Sequence, residues 1–210
     1  TETIAVVFFQ DRGLGRSQQM FADLNQYAIR TTRSLNVLFD HRDAASQLAK
    51  LVIFKSPMFR DLVDMERSTL APRSRKLFTL SALHRASSEL IAELPEASLA
   101  ERADLVRSFW EEVAKHIPEW TAVRERRLSA AEVRRDFLHS HGVVLHALGR
   151  AGNALLRDGK DWKPRLAALK NVDWNRSNSP LWEGRAMIGG RVSKADSNVT
   201  LTTNALKAAL

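Results

Sequence analysis

Twice the chain spells a helix start in the same form, Ser98-x-x-Glu101 and Ser129-x-x-Glu132. In this spelling the serine hydroxyl accepts from the amide three residues on, and the glutamate reaches back to the serine amide. Prolines sharpen the punctuation: Pro95 closes the pattern before the first box and Pro118 closes the one it opens. Proline lacks an N–H and disfavours helical geometry in the residue before it. Between these marks Leu77, Leu80, Ser81, His84, Ser88 and Ile91 run along one side of a helix expected over 74–94. The first box predicts a helix to about His116. The second predicts a long one as far as Asp158, with Gly142 as a kink and Gly159 as its stop. A chain punctuated this way must build a largely helical body.

Strand signals are confined to the two ends. Ile4–Phe9 (IAVVFF) is a short apolar run of the kind that forms a buried strand. A turn at QDRGLG and a helix from about Ser17 to Tyr27 follow, with Met20, Phe21, Leu24 and Ala28 as its apolar stripe. Gly13-x-Gly15 between strand and helix fits a phosphate loop or a tight turn. The third glycine of the dinucleotide pattern is replaced by Gln18, and no Gly-Lys-Ser/Thr follows. Asp40 or Asp43 can cap a helix over Ala44–Phe54 that Pro57 closes. Residues 60–74 read as an extended piece and a loop, and Pro164–Lys170 as a short helix. The last segment is rich in Asn, Ser, Gly and Trp, with Gly189-Gly190 as a two-residue hairpin turn and Trp174 and Trp182 as its packing anchors. Thr202 or Thr203 offers an N-cap for a final short helix.

The expected class is mainly α (α+β): a helical body, a short strand in front and a small β-like region behind. Three parts are expected: a strand-helix-helix piece over 1–60, a helical domain over 61–173 and an appendix over 174–210. Both ends read as cut, so a piece of a longer protein is the expectation.

The chain holds no cysteine, which excludes disulfides, thiolate metal sites and cysteine nucleophiles. No window approaches the ~18 apolar residues of a membrane span, and no basic-then-apolar leader opens the sequence. A cytoplasmic location is expected. His139 and His146 would share a helix face, but seven residues put them ~10 Å apart, too far to hold one ion. No metal site and no catalytic group is assigned. The acids and amides of Gly15–Asp43 pose a separate question. Gln18 and Asn25 would share the face that Phe21 buries, and buried amides need partners. Asp40 and Asp43 suit caps, with an ion pair to Arg42.

Charge distribution narrows the function. The net charge is +8, with arginine far outnumbering lysine. Residues 86–123 carry three basic and eight acidic side chains, whereas 124–194 carry fifteen and seven. Such asymmetry is the footprint of a polyanion binder, and the guanidinium fork suits phosphate and guanine. Two bursts stand out as candidate DNA contacts: Arg73, Arg75 and Lys76, leading into the helix expected over 74–94; and Arg124, Arg126 and Arg127 before the Ser129 box, continued by Arg134 and Arg135 within the helix. Basic groups near a helix start run against the helix dipole, so an anion is expected there.

Three strings carry a resemblance: Val6–Asp43, Glu66–Leu83 (ERSTLAPRSRKLFTLSAL) and Trp182–Lys207 (WEGRAMIGGRVSKADSNVTLTTNALK). They resemble the DndB family of the bacterial DNA phosphorothioation (DNA sulfur modification) systems, whose members carry a DGQHR domain. The resemblance implies a DNA-binding regulator that represses the modification operon and moderates modification. It implies duplex DNA of an operator region and other phosphorothioation proteins as partners, and it is compatible with an oligomer. Gln18, Gln19, Asp23, Asn25, Asp40, Arg42 and Asp43 are the polar residues of the matching block. Phe21-x-x-x-Asn25 would pack against the DGQHR string, which would precede Thr1 and is not in this sequence. That string resembles the nucleotide-handling motif of ParB/sulfiredoxin-like folds. The alternative implied is therefore a ParB-like nucleotide hydrolase or nuclease, with no cofactor expected in this stretch and a nucleotide expected only with the complete motif.

Overall fold

The computed structural model describes Gln10, Gly13, residues 15–20 and residues 31–210. The chain divides into two compact units, 1–31 and 32–210. In the first unit residues 15–20 are helical, after Gly13 at φ 100°. Gln18 and Gln19 are exposed there, so Gln18 is not the buried amide its spacing suggests. The strand expected over Ile4–Phe9, the helix beyond residue 20, Phe21, Asp23 and Asn25 lie outside the described residues.

The second unit is mainly helical. Its helices are α1 (Arg33–Phe39), α2 (Ala44–Lys55), α3 (Leu80–Ile91), α4 (Leu99–Lys115), α5 (Pro118–Arg124), α6 (Ala130–Asp136), α7 (Gly142–Arg157), α8 (Ser179–Trp182) and α9 (Asp196–Ala209), with a 3-10 helix over Pro164–Asn171. Two two-stranded sheets accompany them. β1 (Val63–Asp64) pairs in parallel with β2 (Phe78–Thr79), and β3 (Met187–Ile188) antiparallel with β4 (Arg191–Val192). Gly189 and Gly190 join β3 to β4 at φ 58° and 71°, the left-handed geometry that a two-residue hairpin turn requires.

Both capping boxes form as spelled, with Ser98 and Ser129 accepting from Glu101 and Glu132 amides and each glutamate returning to its serine. Asp43 caps α2 through Ala45 and Ser46. Helix limits differ elsewhere for identifiable reasons. Residues 74–79 are not helical: Leu77 and Phe78 amides bond the Leu62 carbonyl, and Thr79 caps α3. Pro118 both ends α4 and opens α5 at its first turn, where the missing N–H costs nothing. The helix expected from Ser129 to Asp158 is two helices, not one with a kink. Phe137 bridges Asn175 and the Leu138 amide bonds the Trp174 carbonyl, pulling the chain out of helical geometry until Gly142 restarts it. Thr202 and Thr203 cap nothing; both are buried inside α9, where Thr203 bonds back to the Val199 carbonyl. Helix α1, capped by Thr32, had no periodic signal.

A continuous apolar core runs from Val37 to Leu206. At its centre Phe59, Phe78, Trp110 and Trp120 meet edge to face or tilted, with Phe78 and Trp120 centroids 4.9 Å apart. Such pairs add about 1 kcal/mol each beyond area burial. Every buried indole N–H has an acceptor: Trp110 on Ser87, Trp120 on His139 Nδ1, Trp174 on the Leu169 carbonyl and Trp182 on the Asp173 carbonyl. Trp174 and Trp182 stack at 5.5 Å and anchor the last segment, as their position suggested.

Helix α7 lies between α3 and α9. Its approach to α3 and α4 is set by two glycines. A Cβ on Gly149 would overlap the Ala86 carbonyl, and one on Gly152 would overlap the Phe109 ring. At Gly142 the added carbon would meet Ala82 Cβ at an ordinary 3.7 Å. Gly149→Ala should therefore destabilise by about 1–3 kcal/mol through overpacking, despite the ~1 kcal/mol that alanine gains in helix propensity. Gly142→Ala should be tolerated. Urea unfolding of the two variants checks this; equal stabilities would contradict the close approach.

Candidate nucleic-acid interface

The two arginine bursts, far apart in sequence, meet through one side chain. Arg134, on the last turn of α6, is half-buried. Its guanidinium donates to the carbonyls of Ala71 (3.1 Å), Pro72 (2.9 Å), Ser74 (3.1 Å) and Lys76. Burial lowers its pKa from the usual value, with no carboxylate beside it. The carbonyl dipoles take the place of a counter-ion. Arg134 thus faces inward and holds the 71–76 loop against α6.

That clamp displays what the loop carries. Arg73 and Arg75 are exposed, and neither has a hydrogen-bond or ion-pair partner among the described residues. Lys76 is turned back onto the Asp61 carbonyl at 2.8 Å. Beside the clamp, exposed Arg135 chelates Asp136 through two 2.8 Å bonds. The Asp136 carboxyl is held below its ordinary value chiefly by the hydrogen bond from Arg135. Arg176 bridges onward, donating to the Arg135 carbonyl at 3.2 Å and the Gly190 carbonyl at 3.1 Å. The ridge therefore reaches the hairpin, where Arg191 is exposed and unpaired among the described residues. Sequence reasoning named neither Arg176 nor Arg191, because neither sits in a basic cluster or at a helix start.

The remaining burst occupies the α5–α6 connection, at the opposite end of α6. Arg124 and Arg126 are exposed and without ion-pair partners among the described residues, whereas Arg127 is paired with Glu125 at 2.5 Å. Arg126 adopts φ 61°, a left-handed conformation costing an L-residue about 1–2 kcal/mol. Helix α6 separates Arg124–Arg127 from Arg134–Arg135 by about 10 Å.

The acidic segment leaves this surface alone. On α4, Asp104 and Glu111 pair with Arg107, and Glu112 pairs with Lys115 and His116. Glu89 and Glu93 of the α3 end neutralise Arg150 and Arg157 of α7. Two acids of the polar motif, Asp40 and Asp43, are engaged in turns and caps. Asp40 Oδ1 accepts from the Arg42 and Asp43 amides, which hold its carboxyl below the ordinary range. Asp43 is lowered mainly by its hydrogen bond from Ser46 and also lies 3.5 Å from His84. The expected ion pair with Arg42 does not form among the described residues. No group of three His, Asp or Glu is placed to hold a metal ion among the described residues, and no helix among them is long and apolar enough to cross a membrane.

Histidines stitch the same region. His139, in the α6–α7 connection, accepts from Trp120 on Nδ1 at 3.0 Å and turns Nε2 toward Glu119 at 3.4 Å; burial lowers its pKa. His141 places Nε2 2.8 Å from the Arg134 carbonyl, and burial pushes its imidazole down to about 4. A neutral ring donates to that carbonyl. Because the folded value is depressed, the unfolded chain binds the proton first, so stability is full above pH ~6.5 and falls as pH drops toward 4. Between pH 7 and 5 the His141 share is about 2 kcal/mol. His141→Asn should flatten the pH dependence of urea unfolding in that window. An unchanged dependence would contradict a buried neutral ring.

Comparison with known proteins agrees with the resemblance carried by the three strings. No curated protein and no solved structure matches the chain. One family model does, described as DndB, DNA-sulfur modification-associated, and it spans residues 1–210. A match along the whole length fixes the assignment: the chain belongs to the DndB family of DNA-sulfur modification-associated proteins.

Proposed function

We propose that this chain is a DNA-binding regulatory protein of the DNA sulfur modification system, repressing the modification operon and moderating the extent of modification. The observation that carries the reading is the Arg134 clamp. It presents Arg73 and Arg75 on an ordered loop beside Arg135, Arg176 and Arg191, with no acidic residue of α4 paired to them. An unclamped loop would have to give up conformational entropy on meeting a duplex; an ordered one has already done so. In this reading Arg73 and Arg75 touch phosphates, Arg134 positions them, and Arg124 and Arg126 extend the contact along the backbone. Arg127 and Arg135 take part by exchanging a carboxylate for a phosphate oxygen, which weakens their share. Other proteins of the modification system are the further partners this role needs.

Phosphate contact makes affinity fall with salt, by about 0.9 in log–log slope per phosphate neutralised. Arg73→Ala/Arg75→Ala should flatten the slope by about 2 and relieve repression of a reporter driven by the modification operon's promoter. The Arg124, Arg126 and Arg127 triple alanine variant should flatten it as well. Unchanged slope and unchanged repression in both variants would remove the ridge from the account.

A further inference from the structure

A cleft of about 360 Å³ opens beside the first turn of α7, on the inner side of the Arg134 clamp. Arg33, Arg85, Arg134 and Lys194 line it, and no acidic residue does among the described residues. Leu77 and Phe78 form part of an apolar wall. The volume lies in the range of small-molecule pockets.

The start of α7 faces this space with open donors. Its N-cap, His141, makes no side-chain capping bond, because its ring is directed at the Arg134 carbonyl. The amides of Gly142 and Val143 meet no acceptor among the described residues. They open a helix of sixteen residues, so the positive end of the dipole points the same way. A second observation is independent of the helix. Ser140 lines the cleft, is only 5% exposed, and its hydroxyl has no partner among the described residues. A buried hydroxyl without a partner is rare because it forfeits its hydration. Arg33 and Lys194 are exposed and unpaired among the described residues, and Arg85 holds Asp196 at 2.8 Å through one nitrogen only.

We propose that this cleft binds a phosphoryl oxyanion. Gly142 and Val143 amides and the Ser140 hydroxyl donate to its oxygens, and Arg33, Arg85 and Lys194 balance its charge. Backbone donors at a helix start, a hydroxyl and convergent cations are the combination that recognises tetrahedral oxyanions. The phosphoryl group can belong to a free phosphate ester or to a DNA backbone; only in the second case does the inference rest on the duplex reading above.

The test uses the whole chain and inorganic phosphate. Thermal unfolding is followed on titration with phosphate, against chloride at matched ionic strength. Phosphate should raise the midpoint above the chloride control. Ser140→Ala should weaken the derived affinity about tenfold, and Arg85→Gln/Lys194→Gln, both on exposed side chains, at least as much. Arg157→Gln, at the far end of α7, should keep it. Addition of a short duplex then distinguishes the sources: competition with phosphate identifies the backbone, and simultaneous binding identifies a free ester. Phosphate acting no differently from chloride would overturn the site. So would wild-type affinity in both cleft variants. Neither result bears on whether the ridge holds DNA, because neither measurement includes DNA.

Discussion

A single guanidinium, that of Arg134, decides how the rest of this surface is organised. It is half-buried and faces no carboxylate, so carbonyls of the 71–76 loop must carry its charge. Losing them would leave a half-buried cation short of acceptors on its inner side. The loop is therefore held to α6 more firmly than its own turn chemistry would hold it. The carbonyl of the same residue accepts from His141, so the clamp also fixes where α7 begins. Loop, helix end and helix start become one unit through two links made by the same residue, its side chain to the loop and its carbonyl to His141.

The helical frame makes those links possible. Gly149 lets α7 lie against the Ala86 backbone, which brings the first turn of α7 beside Ala82 on α3. With α3 and α7 that close, the α3 end supplies Glu89 and Glu93 to neutralise Arg150 and Arg157. The α7 arginines are consumed by the fold, while those of the loop and the hairpin are left to solvent. Charge is thus divided: acids of α4 and of the α3 end pair with Arg107, Lys115, Arg150 and Arg157, while Arg73, Arg75 and Arg191 have no acidic partner among the described residues.

Much of the helical body was legible in the sequence because it is written in local chemistry. Capping boxes at Ser98 and Ser129, the Asp43 cap and the Gly189-Gly190 turn act within four residues, and each forms as spelled. The two misplaced helix limits are non-local in origin. The break at Phe137 depends on Asn175 and Trp174, some forty residues away, and the extended start before α3 depends on Leu62. Thr202 and Thr203 look like caps by residue type, yet burial in α9 outweighs that preference. The arginine bursts were visible as candidates, but their division of labour was not. Arg134 and Arg135 are adjacent in the chain, and only packing sends one inward and the other outward. Arg176 and Arg191 carried no sequence signal because a lone arginine in a loop is unremarkable until its neighbours are known.

The most direct test of a duplex seat organised around Arg134 is hydrogen exchange of the whole chain with and without a saturating short duplex at low salt. Slowed exchange should appear over residues 71–77 and in the hairpin around Gly190 and Arg191, while amides of the acid-rich α4 stay unchanged. Protection confined to α4, or none in the loop and hairpin while the duplex is demonstrably bound, would contradict the account.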